Sequence, residues 1–227
     1  MKNRQINTTR LFYGKWPYKI EFRLAGSALI KRWSLEKLKV WCKIDRDERN
    51  KQYSWYKDVD GIKLLKFVET IEPFLEQDHK LRAEAYTLNF YTDNEEVVNT
   101  LATALHWCVR SVHAPATTEE LNMLLNNKRK IICDMLPHNG YVYKVTLKEN
   151  TPANTKLQLK GWCEQYAEET FKFTPSTTKW LTQSKNYLQS PFFYLKDEKL
   201  LMMCRLFLGA NVRSVEEYIP RYTLISE

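Results

Sequence analysis

A chain of 227 residues, 44% of them hydrophobic, is long enough to bury a core as one large domain or as two of about 110 residues each. No run of eighteen apolar residues occurs, and Met1 to Arg10 is polar with two arginines, which argues against a membrane span or a signal-peptide core and points to a cytoplasmic protein. Five scattered cysteines (Cys42, Cys108, Cys133, Cys163 and Cys204) include no Cys-x-x-Cys pair, and the net charge is +8; reduced thiols and an anionic partner follow, rather than a disulfide framework or a zinc site.

In chain order, Tyr18 to Leu24 alternates apolar and polar residues, the two-residue period of a half-buried strand. Ser34 then offers an N-cap to a helix whose Leu35, Leu38 and Cys42 share one face. The aromatic stretch Gln52 to Lys57 reads as a second strand, and Ile62 to Gln77 as an additional helix that Pro73 kinks or ends. Ala85 to Thr92 is the next strand. Asp93-Asn94-Glu95-Glu96 supplies a cap and two acids to a helix through Val97, Leu101 and Leu105, and Val109 to Val112 closes the unit as a strand. Thr117-Thr118-Glu119-Glu120 starts a connecting helix through Leu125.

The same order then returns: strand Tyr141 to Lys148, helix Asn154 to Tyr166, strand Thr170 to Thr174, a short helix Thr177 to Gln183, strand Phe192 to Leu195, helix Asp197 to Leu208 ended by Gly209, and strand Val212 to Tyr218. Sequence marks recur with it. Tyr18-Lys19-Ile20, Trp41-Cys42, Asp93 and Val109-Arg110-Ser111-Val112 are matched by Tyr143-Lys144-Val145, Trp162-Cys163, Asp197 and Val212-Arg213-Ser214-Val215, at offsets of 125, 121, 104 and 103 residues. The chain is therefore read as a duplication: a first module over residues 1–115, a connector over 116–140 and a second module over 141–227. Without a low-complexity linker the halves are expected to pack together.

Charge distinguishes the copies. Residues 1–57 hold 15 Lys and Arg against 5 Asp and Glu, residues 58–115 hold 5 against 10, and residues 116–227 hold 15 against 12. The basic opening interleaves cations with rings, the combination that neutralises phosphates while stacking on unpaired bases. The contacts it offers are Arg10, Lys15, Lys19, Arg23, Lys31, Arg32, Arg46 and Arg49, with Tyr13, Trp16 and Tyr56 as stacking rings. Lys19 and Arg23 share the solvent face of the first strand, as Lys144 and Lys148 do in the second copy. The partner expected is RNA or single-stranded DNA, with no cofactor, metal or membrane.

Two β-α-β-β-α-β units, each with an extra helix before the third strand that is shorter in the second, make an α+β chain that resembles a tandem ferredoxin-like arrangement. At the level of element order it is similar to the repeat-associated RNA-binding proteins of CRISPR systems, some of which cut CRISPR transcripts. What that resemblance implies is RNA binding rather than cleavage. The only late glycines are Gly161 and Gly209, where those endoribonucleases usually carry a glycine-rich loop, and no histidine falls on the first helix.

Two other readings stay open. Asp58 and Asp60, or Asp45 and Asp47, are spaced as paired metal-holding carboxylates of a nuclease or nucleotidyl-transfer enzyme, and Asp60-Gly61 is equally an ordinary turn before a helix. A metal-independent ribonuclease would draw its acid or base from the histidines, of which His138 lies on an expected turn. The Lys-, Asn- and Tyr-rich composition also suits a small virus- or phage-encoded factor whose basic face meets an acidic protein partner.

Overall fold

Residues 4–48, 58–165, 170–183 and 190–224 are described by the computed structural model, and two five-stranded sheets run through them. The chain divides into two units, Met1–Lys128 and Arg129–Glu227. The stretch expected as a connector, 116–140, carries a helix and a strand, and the division falls inside it.

In the first unit the chain runs β1 (Arg4–Asn7), β2 (Tyr18–Arg23), α1 (Ser27–Arg32), α2 (Leu35–Lys43), α3 (Gly61–Ile71), β3 (His79–Glu84), β4 (Thr87–Thr92), α4 (Glu95–Ala104), β5 (Val109–Ala114) and α5 (Thr118–Asn126). The sheet order is β1-β5-β2-β4-β3. β1 lies parallel to β5, and the other neighbours are antiparallel. The alternation of β2 buries Tyr18, Ile20 and Phe22 against Leu38 and Trp41 of α2, Leu64, Phe67 and Val68 of α3, and Val97, Val98 and Leu101 of α4. Helices therefore cover one face of the sheet and leave the other open. Capping fixes the helix starts: Ser34 accepts from the Lys37 N–H at 3.3 Å, Asn94 from Glu96 and Val97, and Thr117 from Glu120.

The expected second strand, Gln52 to Lys57, lies outside the described residues. The strand paired with β4 is instead β3, which follows the helices and turns into β4 through Ala85, whose φ is 49°. Its sequence, His79-Lys80-Leu81-Arg82-Ala83-Glu84, alternates as strictly as β2, with Leu81 and Ala83 packed on the core. The additional helix is in place, ending in a 3-10 turn, Glu72–Phe74, that contains Pro73. α1 is an element the pattern did not announce. Its N-cap Gly26 has φ 87°, and an added Cβ would lie 3.0 Å from Val59 Cγ1 and 3.1 Å from Leu64 Cδ2. Gly26→Ala is expected to cost about 2 kcal/mol or more, since left-handed backbone and overpacking both penalise it. Urea unfolding of the two proteins checks this.

The second unit runs β6 (Lys130–Cys133), β7 (Tyr143–Leu147), α6 (Ala153–Glu164), β8 (Phe171–Phe173), α7 (Pro175–Thr182), β9 (Phe192–Leu195), α8 (Glu198–Leu208) and β10 (Val212–Pro220). Its sheet order is β6-β10-β7-β9-β8, with β6 parallel to β10. Val145, Leu147, Phe193 and Leu195 meet Leu159, Trp180, Leu201 and Cys204 in a second core.

The two sheets correspond strand by strand, and the match reaches further than the sequence marks, because an added parallel edge strand is present in both. The helices differ, since α1, α2 and α3 all precede β3 in the first unit whereas α7 stands between β8 and β9 in the second. One pairing shifts. Asn94 and Asp197 are the equivalent N-caps, so Asp197 answers to Asn94 rather than Asp93, and the offset from there onward is 103 throughout. Among the described residues no helix is long and apolar enough to cross a membrane, and none of the five cysteines is joined in a disulfide.

Candidate nucleic-acid interface

Because side chains alternate across a strand, the open face of the first sheet is built from every second residue of each strand. Pairing register sets them in rows. One row crosses the sheet as Lys80, Tyr91, Lys19 and His113; the next as Arg82, Asn89, Glu21 and Ser111. Arg23 pairs with Thr87 beyond them. Five cations (Lys19, Arg23, Lys80, Arg82 and Arg110) thus face two carboxylates, Glu21 and Glu84. Arg110 donates to Glu21 Oε1 at 2.9 Å, Lys19 Nζ lies 3.6 Å from Glu21 Oε2, and Arg82 pairs with Glu84. Lys19, Glu21, Arg82, Asn89 and Arg110 surround an open depression of about 390 Å³.

The loop between β1 and β2 folds over one end of this face. Tyr13 and Gly14 take left-handed backbone, φ 55° and 67°, which turns the rings of Phe12, Tyr13 and Trp16 onto the sheet. All three pack on Tyr91, at centroid distances of 5.4, 5.1 and 6.4 Å. Trp16 is 8% exposed and forms the floor; Tyr13 is 48% exposed and stands above it. Lys80 Nζ lies 3.8 Å from the Tyr13 ring centroid, and Arg82 donates to the Tyr13 hydroxyl at 3.1 Å. That hydrogen bond holds the Tyr13 phenol below its ordinary pKa. Under the same loop, Phe12 meets the His113 ring edge-on at 5.7 Å. Burial, with Lys19 and Arg4 adding to it against Glu21, pushes the His113 imidazole down to about 4.

The second unit repeats the arrangement. His138 and Asn139 have φ 49° and 63° at the positions of Tyr13 and Gly14. His138 stands edge-on to Tyr194 at 5.0 Å, and Tyr141 lies 6.4 Å from it. Across the strands Lys172, Tyr194 and Lys144 reproduce Lys80, Tyr91 and Lys19. In the neighbouring row Phe192, Thr146 and Ser214 replace Asn89, Glu21 and Ser111. Lys144 pairs with Glu216 at 2.9 Å and lies over Phe192 at 4.7 Å. The second face is thus more aromatic in that row.

Of the residues singled out from sequence, Tyr13, Lys19 and Arg23 come together on the first open face, and Trp16 lies beneath Tyr13, buried, with little ring surface left for a ligand. Lys15 is at the loop's edge, paired with Asp78 and 5.1 Å from the Trp16 ring. Arg10 is exposed near the start of the loop. Lys31 and Arg32 end α1, and Arg46 follows α2; all three belong to the helical layer and do not join the face. Arg49 and Tyr56 lie outside the described residues. Lys80, Arg82, Asn89 and Tyr91 were not singled out, although the alternation of β3 and β4 carried the signal.

The aspartate pairs are placed differently. Asp60 Oδ1 accepts from the backbone N–H groups of Ile62 and Lys63 at 3.1 Å, and those bonds hold its carboxyl below the usual range. Asp45 Oδ1 accepts from the Asp47 N–H at 2.8 Å. Both carboxylates serve the backbone, and among the described residues no group of three or more His, Cys, Asp or Glu gathers as metal ligands. No family model, curated protein or solved structure matches the chain.

Proposed function

We propose that the chain is a pair of ferredoxin-like modules that binds single-stranded nucleic acid, RNA foremost, on the open sheet face of the first module. The resemblance to the CRISPR repeat-associated RNA-binding proteins supports the same class of ligand. The observation that carries the reading is the Tyr13 ring, 48% exposed, held edge-on to Tyr91 by a left-handed turn with Lys80 and Arg82 against it and Lys19 and Arg110 further along the same face. A base stacks on such a ring while its phosphates meet the cations. The retention of Lys-Tyr-Lys and of the ring-bearing loop in both modules supports a face kept for more than packing, because these side chains lie away from both cores.

The test is fluorescence anisotropy of the full chain with labelled 12-nucleotide RNA, single-stranded DNA and a duplex of equal length. Single strands should bind more tightly than the duplex. Tyr13→Ala should weaken RNA binding about five- to a hundredfold, the range for removing one stacking ring, whereas Lys31→Ala with Arg32→Ala should change it less than twofold. No binding of either single strand at about 50 mM salt, where phosphate contacts are strongest, would sink the reading.

A further inference from the structure

Resting on that reading, we propose that the depression beside Tyr13 is a base-reading subsite that selects guanine. Its floor is Asn89, 6% exposed, whose side-chain amide has no hydrogen-bond partner among the described residues. The amide offers two donors and an acceptor to whatever enters the depression. Asn89 opens into the depression rather than into the core, so a ligand can complete it.

The neighbours of Asn89 fix which ligand. Arg82 lies directly opposite it on β3 and Glu21 directly opposite it on β2, so the row presents donor, amide and acceptor in that order. With neighbouring strands about 4.8 Å apart, Arg82 and Glu21 are separated by roughly 10 Å at the backbone, room for a purine between their side chains. Guanine offers two acceptors, O6 and N7, along one edge and two donors, N1–H and N2–H, along the next. A guanidinium donates to the first and a carboxylate accepts from the second. Adenine would turn its N1 lone pair toward Glu21, and uracil would bring one donor, N3–H, with a carbonyl where guanine has its second donor.

The residues concerned retain capacity. Arg82 has five N–H donors and uses them on the Tyr13 hydroxyl and Glu84. Glu21, with its side chain 16% exposed, has one short bond, from Arg110, and longer approaches from Lys19 and Ser111 at 3.6 and 3.5 Å. The second module acts as an internal control. The same scaffold holds Phe192 and Thr146 at the positions of Asn89 and Glu21, so the polar row is not required to form the sheet.

The experiment compares binding of the full chain to four RNA 12-mers: all uridine, and uridine with one central guanosine, adenosine or cytidine. The guanosine oligomer should bind about tenfold more tightly than the other three, within the range for one bidentate base contact. Glu21→Gln and Asn89→Ala should each bring the ratio of guanosine to uridine affinity toward one. Because both oligomers need the same folded protein, a general loss of folding cannot mimic a change in that ratio. Equal affinities for the four oligomers, or a preference for any base other than guanine, overturn the subsite and leave the face standing. Failure of every oligomer to bind overturns both.

Discussion

Replacing Lys19, Lys80, Arg82 and Arg110 together by glutamate is expected to abolish the salt dependence of RNA binding along with most of the affinity. Each phosphate neutralised on a single strand contributes about −0.7 to the slope of log affinity against log salt, so four contacts give about −3 and a loss of roughly fiftyfold between 50 and 200 mM salt. The variant should lose at least a comparable factor at 50 mM salt, about fiftyfold, and its remaining binding should be nearly flat in salt. The control is a chain with Lys31, Arg32 and Arg46 reversed instead. These carry almost the same charge change but stand on the helical layer, so their reversal alters the general field without touching the face. If both variants fall equally, the attraction is net charge alone, and the open face is not the site. If neither falls, the basic balance is surface solubility and nucleic acid is not the partner. Local loss of the first variant only is the result that places the ligand on the sheet. All four side chains are away from the core, so the variant should still fold, and circular dichroism with a urea midpoint verifies that before the affinities are compared.

How far the sequence reveals this differs between the fold and the face. The two-residue period of Tyr18–Arg23 and Tyr143–Leu147, the caps at Ser34, Thr117 and Asp197, and the stop at Pro73 are local signals, and the elements they announce are present. β1 and β6 are short, and each is completed by a parallel partner far along the chain, β5 or β10. Four residues such as Arg4–Asn7, with no buried side chain, give no periodicity from which to infer a strand. The face is legible only in part because it is a product of register. That Lys19 lies beside Tyr91 and His113, 72 and 94 residues onward, cannot be read from composition, and a search for basic runs instead gathers Lys31, Arg32 and Arg46, which are near Lys19 in sequence and on the other layer in space. Asn89 and Tyr91 were hidden for a related reason. Residues 88–92 are all buried, so although alternation separates Leu88 and Phe90 of the core from Asn89 and Tyr91, the burial of Tyr91 beneath the aromatic loop has no local sequence signal.

His113 links the loop to pH. Its imidazole lies under Phe12, within 3.2 Å of the Ser111 hydroxyl, and is faced by Lys19 and Glu21 from β2 and by Arg4 from β1. Burial and the nearby cations lower its folded pKa to about 4 from 6.5. The sign follows from proton counting. Between these values the unfolded chain binds a proton at His113 and the folded chain does not, so stability rises with pH across the window. The stabilisation is fully present above about 6.5 and is lost as pH falls toward 4, for a total of up to about 3 kcal/mol, a large fraction of the margin of a domain this size. His113→Phe keeps a ring beneath Phe12 and removes the titration. Urea midpoints measured from pH 7.5 to 4.5 should therefore fall more steeply for the natural chain than for the variant, the two curves separating below about pH 6.5. Parallel curves would mean that the imidazole reaches solvent freely and the loop does not cover it. The same protonation would place a cation between Lys19 and Phe12, so the aromatic loop is the part of the first module that acid should loosen first. Tyr13 would lose its place over Tyr91 with it, and RNA affinity, otherwise favoured by added positive charge, should stop increasing on acidification and decline below about pH 5.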